Sequence, residues 1–111
     1  MSHILEHMLF KGTATRKVGD ISRQIQDRGG YINAYTSFDR TVYWIDVPAD
    51  GAAEAVDILA DAMMNSTLPE DEYTKEQEVI RREFAMGYDD PGRQSSQLML
   101  NTVFGESPFR H

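Results

Sequence analysis

The 111-residue chain contains no cysteine. Disulfides and thiolate metal sites are therefore excluded, and a metal would have to be held by histidine and carboxylate. The chain also has no apolar run long enough to span a membrane as a helix. It shows no internal repeat, no low-complexity segment and no linker of the kind that separates domains. No signal-peptide pattern opens it, and its compartment is not set by the sequence. Basic residues are scarce where acids are dense. Residues 46–90 hold three Lys or Arg against thirteen Asp or Glu, within a net charge of −7. Such a middle disfavours nucleic acid and anionic membrane surfaces as partners and reads mainly as solvated helix faces.

What is present suits a folded chain. Hydrophobic residues make up 41% and charged residues 26%, a globular composition, and the length fits one domain with a real core. Residues 3–10 read as a helix stopping near Gly12, with a polar loop over 11–17. Residues 18–28 read as a second helix, its apolar face formed by Val18, Ile21 and Ile25, ended by Gly29-Gly30. Residues 31–36 and 41–47 read as an antiparallel hairpin turning at 37–40, with Tyr43 and Trp44 expected in the sheet core. A helix over about 51–64 is expected to bury Ala52, Val56, Leu59, Ala60 and Met63. After a loop at 65–69, Pro69 opens a helix of about twenty residues, broken by Asp89-Asp90-Pro91-Gly92. A last helix over 93–103 and a tail over 105–111 complete the chain. The expected class is α+β, a two-layer arrangement of an antiparallel sheet packed against helices.

The chemistry-bearing stretch is His3-Ile4-Leu5-Glu6-His7. It has the inverted order H-x-x-E-H. On a helix His3 and His7 stack one turn apart with Glu6 beside them. Two imidazoles so placed can bind Zn2+, and a neighbouring carboxylate can take a proton from water. A third ligand is needed. Glu76 and Glu83 are seven residues apart, close to two helical turns, so they share a face of the long helix with Ile80 between them. Glu70, Glu72 and Glu78 read as solvated.

These residues resemble the pitrilysin and mitochondrial-processing-peptidase family of zinc peptidases, the inverzincins. The run from His3 to Thr13 matches the family's leading motif. Gly29 to Thr36, with Asp39 and Thr41, resembles the strand that follows. Lys75-Glu76 and Val79 to Glu83 resemble the helix bearing the last ligand, and Glu83 stands seventy-six residues after His7, 83 minus 7, the family's separation. Phe104-Gly105 and Ser107-Pro108-Phe109 resemble a further landmark. The resemblance implies that His3, His7 and Glu83 bind zinc, that Glu6 is the general base, and that Glu76 supports catalysis by orienting the ligands. It implies that Asn33, Ala34 and Tyr35 lie on an edge strand receiving an extended substrate, with Phe10 near the scissile region.

The expected function is that of a zinc-dependent endopeptidase lobe using metal-activated water on a peptide or small protein. The alternatives are a non-catalytic scaffold or interaction subunit of the same family, or an inactive fragment. The family has further strands before the motif helix, more sheet and helix after the tail, and a second lobe that encloses the substrate. Residues 1–111 therefore resemble part of an N-terminal catalytic lobe, incomplete without its partner lobe and expected to be inactive alone. Where mitochondrial enzymes carry acids beyond the third ligand, this chain has Arg93 and Gln97, so the resemblance points to a bacterial-type peptidase rather than a presequence reader.

Overall fold

A computed structural model describes residues 2–107. The order is α1 (Ser2–Met8), α2 (Asp20–Asp27), β1 (Tyr31–Thr36), β2 (Thr41–Asp46), a 3-10 turn (Ala49–Gly51), α3 (Ala52–Asn65), α4 (Glu70–Tyr88) and α5 (Pro91–Phe104). The expected mixture of helices and one antiparallel sheet is present. The chain divides into two compact units, Met1–Glu76 and Gln77–His111, the division falling within α4. Pro108 and Phe109 lie outside the described residues. Among the described residues, no helix is long and apolar enough to cross a membrane.

The first unit is built on the β1–β2 hairpin. Tyr31 pairs with Asp46, Asn33 with Trp44, Tyr35 with Val42 and Thr36 with Thr41. The Ser37 N–H donates to the Arg40 carbonyl at 2.8 Å and closes the turn. In an antiparallel ladder, hydrogen-bonded pairs alternate with non-bonded ones. Counting back from that closing bond, Tyr31, Asn33 and Tyr35 point their amides at β2, while Ile32, Ala34 and Thr36 point theirs at the free edge of β1. Side chains alternate between faces as well. Ile32 and Ile45 pack onto Ile21 and Ile25 of α2 and onto Ala55, Ile58 and Ala62 of α3, with Phe10 and Val47 at the margin.

Two glycines are required by geometry at the α2–β1 junction. Gly29 has φ of +70°, and the amides of Gly29 and Gly30 return to the carbonyls of Gln26 and Ile25 at 2.8 and 3.0 Å. This closes the helix in a left-handed cap. At Gly30, a Cβ would stand 2.6 Å from the Asp46 carbonyl oxygen, so only glycine lets the strand enter beside β2.

Three packing expectations are corrected. Val18 precedes α2 and is exposed. Trp44 is 39% exposed on the outer face beside Tyr31; neighbours on a strand face opposite sides, so Tyr43 and Trp44 cannot both point into one layer. The buried face of α3 is Ala55, Ile58 and Ala62, whereas Val56 is 68% exposed and Met63 is also exposed. Apolar residues surround α3, so hydrophobicity alone does not select its rotation. Polar bonds do. Arg16 reaches Asp57 at 2.6 Å and Asp61 at 2.5 Å, and Thr13 donates to Asp61 at 2.7 Å. Asp57 and Asp61, one turn apart, must therefore face the 11–17 loop, which turns Ile58 inward.

The second unit contains the remainder of α4 and α5. Asp90 caps α5, its Oδ1 accepting from the amides of Gly92 at 2.8 Å and Arg93 at 3.2 Å, with Pro91 in the first turn. This is a standard N-terminal satisfaction of orphan amides.

Two outcomes follow. Ile58→Ala should cost about 2–5 kcal/mol in urea unfolding, whereas Val56→Ala should stay within about 0.5 kcal/mol; equal costs would refute the assigned face. Thr13, Asn65 and Arg16 hold the Asp61 carboxylate well below its ordinary range. A depressed folded pKa contributes stability above the unfolded value of about 3.9 and loses it as pH falls further. Asp61→Asn should therefore flatten the acid limb of a stability–pH curve between about pH 4 and pH 2, and an unchanged limb would refute the role of this cluster.

Candidate metal centre

α1 has seven residues, too few for a helix to persist alone. It is held by what its side chains reach. Glu6 is 9% exposed. Its Oε2 accepts a hydrogen bond from the Thr36 hydroxyl at the end of β1, and Thr36 in turn lies 3.0 Å from the Thr41 hydroxyl across the ladder. Phe10 meets Tyr43 edge-on, ring centres 5.6 Å apart. Burial, and after it the charge on Glu6, push the Tyr43 hydroxyl up to about 12. Glu6 is thus a charged group held against the inner face of the hairpin, oriented by one hydroxyl.

His7 faces the other way, toward the first turns of α4. Its Nδ1 donates to Glu76 Oε2 at 2.8 Å. Glu76 is 7% exposed. Burial works against its charge, but Lys11, with Nζ 2.5 Å from Oε1, and His7 together hold the carboxyl below its ordinary range. An ionised carboxylate only accepts, so the proton on a neutral His7 sits at Nδ1 and Nε2 carries the lone pair. That Nε2 is hydrogen-bonded to His3 Nε2 at 3.2 Å.

This separation tests the fit of a metal. Two nitrogens bound at roughly 2.0–2.1 Å to a tetrahedral ion stand about 3.3–3.4 Å apart. The two Nε2 atoms are already at nearly that distance, and His7 carries the carboxylate partner that metal-bound histidines characteristically have. The donor set, nitrogen and oxygen without sulfur, suits Zn2+.

A cleft of about 220 Å³ beside these groups is lined by Glu6, His7, Phe10, Lys11, Asn33, Ala34 and Glu76. Six of the residues singled out in the sequence therefore share one cavity. Asn33 Oδ1 accepts from the Ala34 amide at 2.8 Å, covering a donor that the ladder leaves at the free edge. Tyr35 does not line this cleft. It is exposed, with the Arg40 guanidinium 5.9 Å from its ring centre. Glu83 lies on the part of α4 that belongs to the second unit and is half-buried.

Three participants escape the sequence reading. Thr36 is an ordinary strand residue until the hairpin is docked on α1. Lys11 belongs to the leading motif, but nothing in its spacing names Glu76 as its partner. Glu72, expected to be solvated, has only 12% of its side chain exposed and pairs with Lys75 at 2.5 Å. Its place one turn before Glu76 was the available signal.

Comparison with known proteins places these residues in context. Residues 1–108 match the family described as Insulinase (Peptidase family M16). An uncharacterized zinc protease of Rickettsia felis is 38% identical over 109 residues, covering 98% of this chain and 26% of that protein. A probable mitochondrial-processing peptidase subunit beta of Arabidopsis thaliana is 44% identical over 82 residues, 74% of this chain and 15% of that one. The crystal structure of a protease from Helicobacter pylori superposes with a TM-score of 0.93 at 30% identity, covering 98% of this chain and 26% of its own. Pitrilysin superposes with a TM-score of 0.82 at 28% identity, covering 96% of this chain and 12% of its own. The chain thus spans about a quarter of the length of the Rickettsia and Helicobacter proteins it matches.

Proposed function

Because this chain belongs to the insulinase family of zinc proteases, we propose that residues 1–111 are part of a catalytic lobe of a zinc-dependent endopeptidase. The observation that carries the reading is the convergence of His3 and His7 Nε2 at 3.2 Å, with His7 backed by Glu76 and a buried Glu6 on the same helix. In this reading His3, His7 and Glu83 hold Zn2+. Support for Glu83 is its position seven residues beyond Glu76, close to two turns along one helix, and its half-buried side chain. Zinc, when bound, supplies Lewis acidity that acidifies water and polarises the scissile carbonyl.

The chain's own residues do the rest. Glu6 accepts the proton of the attacking water and returns it to the departing amine nitrogen. Thr36 keeps that carboxylate aimed by holding one oxygen. Glu76 keeps the His7 ring oriented. The free edge of β1 supports binding of an extended peptide by strand addition. A substrate carbonyl would replace Asn33 Oδ1 on the Ala34 amide, and the aromatic ring of Phe10 would line the cleft next to the bond being cut. The partner lobe, on the same longer chain or on another subunit, would close over this edge; the chain's quarter share of its relatives' length supports that need. A scaffold role is disfavoured because His3, Glu6, His7, Glu76 and Glu83 are all present.

Two measurements test this. In an assembly that restores the rest of the paired lobes, Glu6→Gln should retain zinc by elemental analysis and lose peptide hydrolysis by about 10²–10⁴-fold. Substantial turnover by the zinc-loaded variant would remove Glu6 from the role of base. In chelator-competition titrations, Glu83→Ala should strip zinc more severely than Glu76→Ala, which should weaken affinity by about 10–100-fold. The reverse order would overturn the ligand assignment.

A further inference from the structure

Lys11 stands in the tightened turn that ends the motif helix, its amide donating to the Met8 carbonyl at 3.0 Å. From there its side chain reaches α4. Nζ lies 2.5 Å from Glu76 Oε1 and 3.9 Å from Glu72 Oε2. Glu72 has a cation of its own in Lys75 at 2.5 Å, so Lys11 is committed chiefly to Glu76. The other Glu76 oxygen, Oε2, faces His7 Nδ1 at 2.8 Å. Each oxygen thus has one partner, one from the last turn of α1 and one from the turn that follows it, four residues apart.

A carboxylate held at one oxygen can pivot about its terminal bond. Held at both, by donors on opposite sides, it has a fixed plane. With Glu76 pinned, only Oε2 is offered to His7, and His7 is kept with Nδ1–H inward and Nε2 toward His3. The ion pairs of Lys11 are with Glu76 and Glu72, so it acts on His7 through Glu76. We propose that Lys11 is the positioning residue that pins the Glu76 carboxylate and thereby selects the His7 tautomer whose Nε2 faces the metal position. Only the metal arm of this inference rests on the zinc reading above.

The test begins without metal. In the full chain with 15N-labelled histidine, well above the imidazole pKa of about 6.5, two-bond nitrogen–proton correlations report which ring nitrogen carries the proton. Wild-type His7 should be mainly Nδ1–H. Lys11→Met should shift it measurably toward Nε2–H, and Lys11→Arg, which can still grip a carboxylate, should restore most of the wild-type ratio. Glu76→Gln should abolish the selection, and Lys11→Met added to it should change His7 no further, because the effect runs through Glu76. In zinc competition titrations, Lys11→Met should weaken affinity by about 10–100-fold and Lys11→Arg by much less.

An unchanged His7 tautomer in Lys11→Met overturns the proposal. So does a further His7 shift when Lys11→Met is added to Glu76→Gln. Lys11→Gln repeats the comparison should Lys11→Met lose its dispersed amide spectrum; loss in both variants assigns Lys11 a merely structural role and also overturns it. A wild-type chain that binds no zinc even in an assembly that restores the rest of the paired lobes, while its His7 responds as described, refutes the zinc reading and supports the role of Lys11.

Discussion

A charge removed from water must be paired, and the Glu76 carboxylate is the clearest instance in this chain. It lies on a long helix otherwise rich in solvated acids, yet it is almost fully buried. Its two oxygens are taken by His7, near the end of a seven-residue helix, and by Lys11, in the turn that follows it. Such a pairing is an orientation device more than a source of stability, since desolvation offsets much of the attraction. What it secures is register. α1 cannot rotate or slide on the first turns of α4 without leaving a buried carboxylate short of a partner. The histidine pair is therefore positioned by an electrostatic constraint on its back side.

The rest of the first unit carries that constraint outward. The segment leaving α1 is anchored to α3 by Arg16, Thr13 and Asp61, and the Thr67 amide returns to the Gly12 carbonyl at 3.2 Å. On the opposite side Glu6 is tied to Thr36, so the hairpin is docked through a group that the proposed chemistry would use. Ile21, Ile25 and Ile58 fill the space beneath. The hydrophobic core sets the distance between layers, and the polar bonds set their angles. Directional contacts are needed for the second task because apolar contact is nearly isotropic.

Element positions were largely legible in the sequence because local signals act over a few residues. Gly29-Gly30 ended α2, the β-branched run from Thr41 marked β2, and Asp89-Asp90-Pro91-Gly92 marked the break after α4, although α5 starts at Pro91 rather than at 93. The motif helix was legible because two histidines and a glutamate at helical spacing carry their geometry with them. The failures have different physical origins. The rotation of α3 depends on a partner distant in sequence, whereas the outward face of Trp44 follows from strand alternation and the burial of Glu72 from its place one turn before Glu76. For α3 that partner is Arg16, more than forty residues from Asp57. Periodicity states that a helix has faces. It does not say which face wins when Val56, Leu59 and Met63 compete with Ala55, Ile58 and Ala62, and two ion pairs decided it.

The proposed site gains a further property from being assembled this way. Glu6, His7 and Glu76 each make a bond that holds an element in place: Glu6 to the hairpin, His7 and Glu76 between α1 and α4. In a short helix these bonds are a large part of what keeps the backbone ordered, because helix formation itself supplies little over seven residues. Order in α1 and readiness to hold an ion are then one equilibrium. An ion gripped by both histidines would add a bond across the turn that joins them, and its binding energy would appear partly as helix stability. The converse holds as well. Any substitution that loosens the Glu76 clasp spends some of the ion's binding energy on ordering the helix, so it lowers affinity even though every ligand atom remains.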